Sequence, residues 1–150
     1  MHDIKQRLSL FWLFALLNYL YADVVALWAI IGSRNPADTP HLSQLALLGS
    51  AVLMEIPIAM IVASRLLPFR ANRLANVIAS AIVTLVNGSV TFVVPPLLHD
   101  WPPAYPAYLF FGTIETVCTL AIIRQAWTWS EVEGASEQAV GHSGVGSLAR

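Results

Sequence analysis

The chain has 150 residues, of which 57% are hydrophobic and only 11% are charged, whereas a soluble domain carries about 25% charged residues. Its eight basic and nine acidic residues leave a formal charge of −1, so it lacks the basic excess that nucleic-acid binding requires. The single cysteine excludes an internal disulfide and a multi-cysteine metal site. Composition therefore predicts a small integral membrane protein whose main partner is the lipid bilayer, with no nucleic acid, cofactor or metal.

Four apolar stretches follow one another along the chain, at about 8–31, 42–67, 74–94 and 105–127. Each stretch reaches the length of about 20 residues that a helix needs to cross a hydrocarbon core about 30 Å thick. We therefore predict an all-α polytopic membrane protein, with an antiparallel four-helix transmembrane bundle within residues 1–129.

Turn-forming residues separate the four stretches. Residues 32–36 stop the first helix, and Thr39 followed by Pro40 has the form of a helix start. Residues 68–73 are expected to form a short turn, and Pro95 with the proline after it is expected to end the third helix. Residues 130–150 are rich in Gly, Ser, Ala and Glu without periodicity, which predicts a disordered tail.

The basic residues predict the orientation of the bundle. All but one of the basic residues near the four stretches lie at one end of the bundle. These residues are Lys5, Arg7, Arg65, Arg70, Arg73 and Arg124. The positive-inside rule then places both termini and the turn between helices two and three in the cytoplasm. Arg65, Arg70 and Arg73 are interpreted as topology or lipid-contact residues, because anionic headgroups attract basic side chains.

Three acids lie inside the apolar stretches: Asp23, Glu55 and Glu115. Each costs about 2.5–3.5 kcal/mol at the centre of a membrane helix, which makes each a candidate functional residue. Counted at 1.5 Å per residue, they share one slab from the midplane toward the outside. Since no basic residue lies at that depth, a bound proton or an external cation is expected to supply the missing charge.

Polar residues accompany the acids at similar depths. Helix three carries Asn76, Ser80, Thr84, Asn87 and Thr91 at helical spacing. If these faces point inward, as the spacing suggests, the acids and their companions line one cavity. The candidate ligand- or proton-binding residues are Asp23, Glu55, Glu115, Asn18, Tyr19, Asn87, Thr84 and Thr119. The alternative is that they hold helices together, at about 0.6 kcal/mol for each hydrogen bond.

Residues 11–27, 47–80 and 110–127 (FWLFALLNYLYADVVAL, LLGSAVLMEIPIAMIVASRLLPFRANRLANVIAS and FFGTIETVCTLAIIRQAW) resemble an uncharacterised family of small bacterial four-helix membrane proteins. The resemblance implies a four-helix fold in a bacterial inner membrane and assigns no catalytic residue. The layout is also similar to DoxX-like proteins and to small multidrug exporters, although the helix-one glutamate motif of the exporters is absent.

Three functions remain open from the sequence. The first is binding or transport of a proton, a cation or a small cationic or hydrophobic solute through the acidic cavity, with a homodimer expected because four helices are few for one path. The second is a structural or accessory subunit in which the acids are polar packing groups. The third is a lipid- or isoprenoid-modifying enzyme, which is disfavoured because the sequence shows no nucleophile–His pair, HExxH motif or phosphate-binding glycine loop.

Overall fold

The computed structural model describes residues 4–33, 43–98 and 105–129, and all regular structure within these ranges is helical. The elements are α1 (Ile4–Ser33), α2 (Gln44–Leu66), α3 (Phe69–Gly88), a π-helical segment (Ser89–Val93), α4 (Val94–Leu98) and α5 (Tyr105–Thr128). Helices α1, α2, α5 and the continuous run from α3 into α4 are each long and apolar enough to cross a membrane. The all-α prediction with four such helices is therefore confirmed for the described residues.

Two predicted features lie outside the described residues: the helix start at Thr39 and Pro40, and the tail at 130–150. Among the described residues, α2 begins after Ser43. The Ser43 hydroxyl accepts a hydrogen bond from the backbone N–H of Ala46 at 3.2 Å, which satisfies one of the free donors in the first turn of the helix.

The third membrane helix begins earlier than its apolar stretch. The turn predicted at 68–73 is wrong, because only Leu67 and Pro68 separate α2 from α3. The N–H of Asn72 bonds the carbonyl of Pro68 at 2.8 Å, as in a regular first turn. The polar residues of this turn therefore lie within a regular helix and not at its end.

The same helix also continues past Pro95, so the predicted stop at this proline is wrong as well. Pro95 has no N–H to give to the carbonyl of Thr91, its i−4 partner in an α-helix. The hydroxyl of Tyr105 donates to that carbonyl at 3.3 Å, and the π-helical segment lies just before the proline. The backbone therefore remains helical, and the Thr91 carbonyl accepts a hydrogen bond from Tyr105.

A close approach brings α5 against the π-helical segment. A Cβ added to Gly112 would lie 2.7 Å from Cγ2 and 2.8 Å from Oγ1 of Thr91. Only glycine leaves room for the buried Thr91 side chain at this crossing. This contact sets how near α5 comes to the third membrane helix.

Neighbouring helices in the bundle run antiparallel. The Lys5 ammonium donates to the Leu67 carbonyl at 3.0 Å, which joins the start of α1 to the end of α2. The Cys118 thiol lies 3.3 Å from the Phe11 carbonyl, which joins α5 to α1. The core packed between the helices consists of Leu8, Trp12, Ala15, Tyr19, Met60, Ala79, Val83, Cys118, Ile122 and Trp129. Large apolar side chains are exposed on every spanning helix, as expected for a surface that faces lipid.

A network of buried amides ties α1, α2 and α3 together. The Trp12 indole N–H donates to Oδ1 of Asn76 at 2.7 Å, and the Ser64 hydroxyl donates to the same oxygen at 3.2 Å. The Asn76 amide donates to Oδ1 of Asn72 at 2.6 Å. The Asn72 amide in turn donates to the Ser64 carbonyl at 2.6 Å. Both asparagines are completely buried, and these bonds use the acceptor and donor groups of their side chains.

We call the end of the bundle near this network the basic end. It carries the basic residues that the structure describes: Lys5, Arg7, Arg65, Arg70, Arg73 and Arg124. The other end of the bundle is called the opposite end.

Candidate binding site around Glu115

Glu115 lies on the inward face of α5 and is only 3% exposed. The Asn87 amide of α3 donates a hydrogen bond to its Oε2 atom. Next to it, the Thr84 hydroxyl donates to the Thr119 hydroxyl at 2.7 Å, and Thr119 donates to the backbone carbonyl of Glu115 at 3.0 Å. We call Glu115, Asn87, Thr84, Thr119 and Tyr19 the Glu115 cluster.

Two polar atoms of this cluster have no hydrogen-bond partner although they are buried. They are the Oε1 atom of Glu115 and the hydroxyl of Tyr19, a residue of α1 that is 8% exposed. Tyr19 lies within electrostatic reach of Glu115. Buried polar atoms in proteins nearly always have partners, and each one without a partner requires an explanation.

Asp23 and Tyr108 lie on the rim of the Glu115 cluster, toward the opposite end. Both side chains are exposed, and Asp23 is within electrostatic reach of both Glu115 and Tyr108. Asp23 lies one turn from Tyr19 on α1, so its carboxylate is at the exposed edge of the same face and near the buried carboxylate of Glu115. Tyr108 was not among the predicted site residues, but its seven-residue spacing from Glu115 places it on the same face of α5.

Glu55 and Asn18 do not join the cluster. Glu55 is exposed on α2, a helix that packs on α1 and α3, so the inward face predicted for it is wrong. Pro57, two residues further on, is buried instead. Asn18 is 9% exposed, and its amide donates to the Phe14 carbonyl of its own helix at 3.0 Å. The cluster thus joins α1, α3 and α5 and leaves α2 aside.

A model of a family of unknown function, DUF6326, matches residues 1–136. The chain belongs to the DUF6326 family. No curated protein and no solved structure matches it. The family assignment agrees with the expectation of an uncharacterised family, and the chemistry of this DUF6326 protein has to be inferred from its own residues.

The three predicted topology arginines of the DUF6326 protein occupy different surroundings. Arg65 donates from Nε to the Ser9 hydroxyl at 3.0 Å, and Ser9 donates to the Ile61 carbonyl at 3.0 Å, so Arg65 fastens α2 to α1. Arg70 and Arg73 lie on the first turns of α3 at the basic end. None of the three arginines lies beside the Glu115 cluster.

The described side chains around Glu115 in this DUF6326 protein are acidic or neutral. The described residues contain no group of three His, Cys, Asp or Glu side chains able to hold a metal ion. Titratable groups facing Glu115 are Tyr19 and Asp23 from α1 and Cys118 from α5. The described part of α3 faces it with the neutral groups of Asn87 and Thr84. The described basic side chains lie at the basic end and not beside Glu115.

Proposed function

We propose that this protein is a membrane binding or transport module that takes up a proton or a small cation at Glu115. The observation that carries the proposal is the pair of buried atoms without partners, Oε1 of Glu115 and the hydroxyl of Tyr19. A proton on Oε1 turns that atom into a donor, and a cation there is bound by a carboxylate oxygen and a phenol oxygen. Either outcome removes the cost of a buried, uncompensated carboxylate.

Asp23 is the entry group in this proposal. Its exposed carboxylate attracts a cation at the rim, and its charge interacts with Glu115 deeper in the bundle. Two acids at different depths provide two successive binding positions for a proton or cation. Acids inside membrane spans mark ion and proton pathways in other proteins.

The test counts protons released when sodium ions, and separately tetraphenylphosphonium, are added to purified protein in weakly buffered micelles. We expect the wild-type protein to release up to about one proton per chain with one of these probes. Glu115→Gln keeps the amide contact with Asn87 and should release none. Glu55→Gln is the matched control, because it removes a carboxyl exposed on another helix, and it should behave like the wild type.

Tyr19→Phe and Tyr21→Phe form a second matched pair. Tyr19 is buried in the cluster, whereas Tyr21 is 62% exposed, so only the first change should weaken probe binding. Infrared difference spectra report the carboxylic C=O band in the same samples. If cation-free wild-type protein shows neither that band at neutral pH nor proton release with either probe, the proposal is wrong.

A structural or accessory role is the second candidate. The observation that favours it is the saturated amide network of Asn72 and Asn76, which shows polar groups acting as packing groups in this bundle. That role predicts that Glu115→Gln lowers the free energy of unfolding and changes no binding signal. The proton count therefore separates the two functions.

We also propose a homodimer paired through α2. Its buried residues are Pro57, Met60 and Ser64 alone, and Glu55 stands exposed within the span. In a pair related by a two-fold axis, the two Glu55 side chains lie at the same level, and their polar ends are removed from lipid at the interface. Small residues one turn to either side, Ala51 and Ala59, allow close approach.

Disulfide cross-linking tests this pairing. On a cysteine-free background, a cysteine at Ala51 should form an intermolecular disulfide in membranes. A cysteine at Leu120, exposed on α5, is the control and should not. Glu55→Gln should keep the dimer, because an amide is also a polar end, whereas Glu55→Ala should weaken it. Equal cross-linking at both positions would exclude pairing through α2.

For location, we propose a bacterial inner membrane with both termini and the basic end in the cytoplasm. The gathering of described basic residues at one end supports the orientation by the positive-inside rule. The bacterial setting and the layout similar to DoxX-like proteins rest on the sequence resemblance.

A further inference from the structure

A cleft of about 270 Å³ opens at the basic end, between the first turns of α3 and the last turn of α5. Its lining residues are Phe69, Arg70, Arg73, Leu74, Val77 and Trp127. The guanidinium carbon of Arg73 lies 5.5 Å from the centre of the Trp127 ring, in cation–π geometry. The cleft is thus held by groups from two different helices.

The lining has two chemically distinct parts. Arg70 and Arg73 bring two guanidinium groups at the membrane-surface end of α3. Leu74 and Val77, one and two turns further into the span, bring an apolar wall. The Phe69 ring packs edge-on against the buried Trp129 ring, with 4.9 Å between the ring centres, and this contact holds Phe69 in the wall. A ligand that fits both parts has an anionic head and an apolar tail.

The charges around the cleft favour an anion. Arg70 and Arg73 lie one turn apart on α3, so both guanidinium groups are on the side of the helix that lines the cleft. Guanidinium groups pair closely with phosphate oxygens, and tryptophans settle at the level of lipid headgroups. Basic pockets between membrane helices bind anionic headgroups for these reasons.

We propose that this cleft binds one anionic phospholipid, with its phosphodiester on Arg70 and Arg73 and an acyl chain along Leu74 and Val77. The site is separate from the Glu115 cluster and does not depend on the function proposed for it. A lipid in this position joins α3 to α5 at the basic end.

The test is native mass spectrometry of the purified full-length protein with a titrated mixture of phosphatidylglycerol and phosphatidylcholine. The first phosphatidylglycerol bound should be preferred in the wild-type protein. Arg73→Gln should lower that preference about fivefold, the equivalent of about 1 kcal/mol per basic residue at the membrane surface. The double change of Arg70 and Arg73 to Gln should abolish the preference for the first lipid.

Arg124→Gln is the matched control. It removes the same charge from an exposed residue of α5 near the same end but outside the cleft lining, and it should keep the preference. Arg73→Lys keeps the charge and should retain most of the binding. Retained binding would show that the Arg73 position tolerates substitution, so that the loss in Arg73→Gln comes from the missing charge and not from misfolding. An equal loss with Arg124→Gln would show diffuse surface attraction and overturn the proposal.

A further arm separates a lipid from a soluble phosphate. Glycerophosphoglycerol carries the same phosphodiester head without acyl chains, and it should not displace the bound phosphatidylglycerol. Displacement at equal concentration would show that the chains contribute nothing, and it would overturn the lipid assignment.

Discussion

Gly112→Ala should destabilise the bundle at the crossing of α5 with the π-helical segment. The new Cβ would lie 2.7 Å from Cγ2 of Thr91, whereas ordinary contacts begin at 3.4 Å. Thr91 is only 6% exposed, so its side chain has little open space into which it could rotate. Overpacking of this kind lowers the free energy of unfolding by about 1–3 kcal/mol. The better helix propensity of alanine offsets about 1 kcal/mol of that loss.

The measurement is the free energy of unfolding in mixed micelles, followed by circular dichroism as the denaturing detergent is raised. Gly88→Ala is the control, because a Cβ there meets nothing within 4 Å while the change in helix propensity is the same. The difference between the two variants should be about 1–3 kcal/mol. In a Thr91→Ala background, which removes both clashing atoms, the cost of Gly112→Ala should fall. Equal effects at Gly112 and Gly88 would refute the packing argument.

Trp12→Phe removes the indole N–H that donates to Asn76. The change should lower the free energy of unfolding by about 0.6–1.7 kcal/mol, the range of energies measured for hydrogen bonds between membrane helices. Trp28→Phe, at a side chain that is 71% exposed, should change it little, and a similar loss in both variants would contradict the network. On a cysteine-free background, a cysteine at Ala71, which is exposed, should react with an impermeant thiol reagent only from the cytoplasmic side, and one at Asp38 only from outside. Outside labelling at Ala71 would reverse the proposed orientation.

The spans could be predicted because hydropathy and length alone decide which segments cross a bilayer. The ends of the third helix could not, for two physical reasons. Arg70 and Asn72 give the first turns of α3 the composition of a loop, although Asn72 bonds back to α2 and the helix is regular there. Pro95 has the form of a stop, but the hydroxyl of Tyr105, fourteen residues after Thr91, bonds the Thr91 carbonyl that the proline leaves without a donor.

The site was predictable in part for a related reason. The inward stripe on α3 was visible because its polar residues contrast with apolar neighbours, and Asn76 and Ser80 are indeed buried. Helices α1 and α2 are apolar on nearly every side, so the sequence carries little signal for which face turns inward. Their direction depends on packing against neighbours, which is why Glu55 on α2 faces outward while Tyr19 on α1 faces the core.

The asparagine network has a consequence for how the chain enters the membrane. The amides that most need partners, those of Asn72 and Asn76, are on α3, and their partners Trp12 and Ser64 are on α1 and α2. A ribosome makes α1 and α2 first, so these partners are already in place when α3 leaves the translocon. Helix α5, made last, meets a three-helix unit whose buried amides are already paired. The order of synthesis thus makes Trp12 and Ser64 available before α3, which carries both asparagines, enters the membrane.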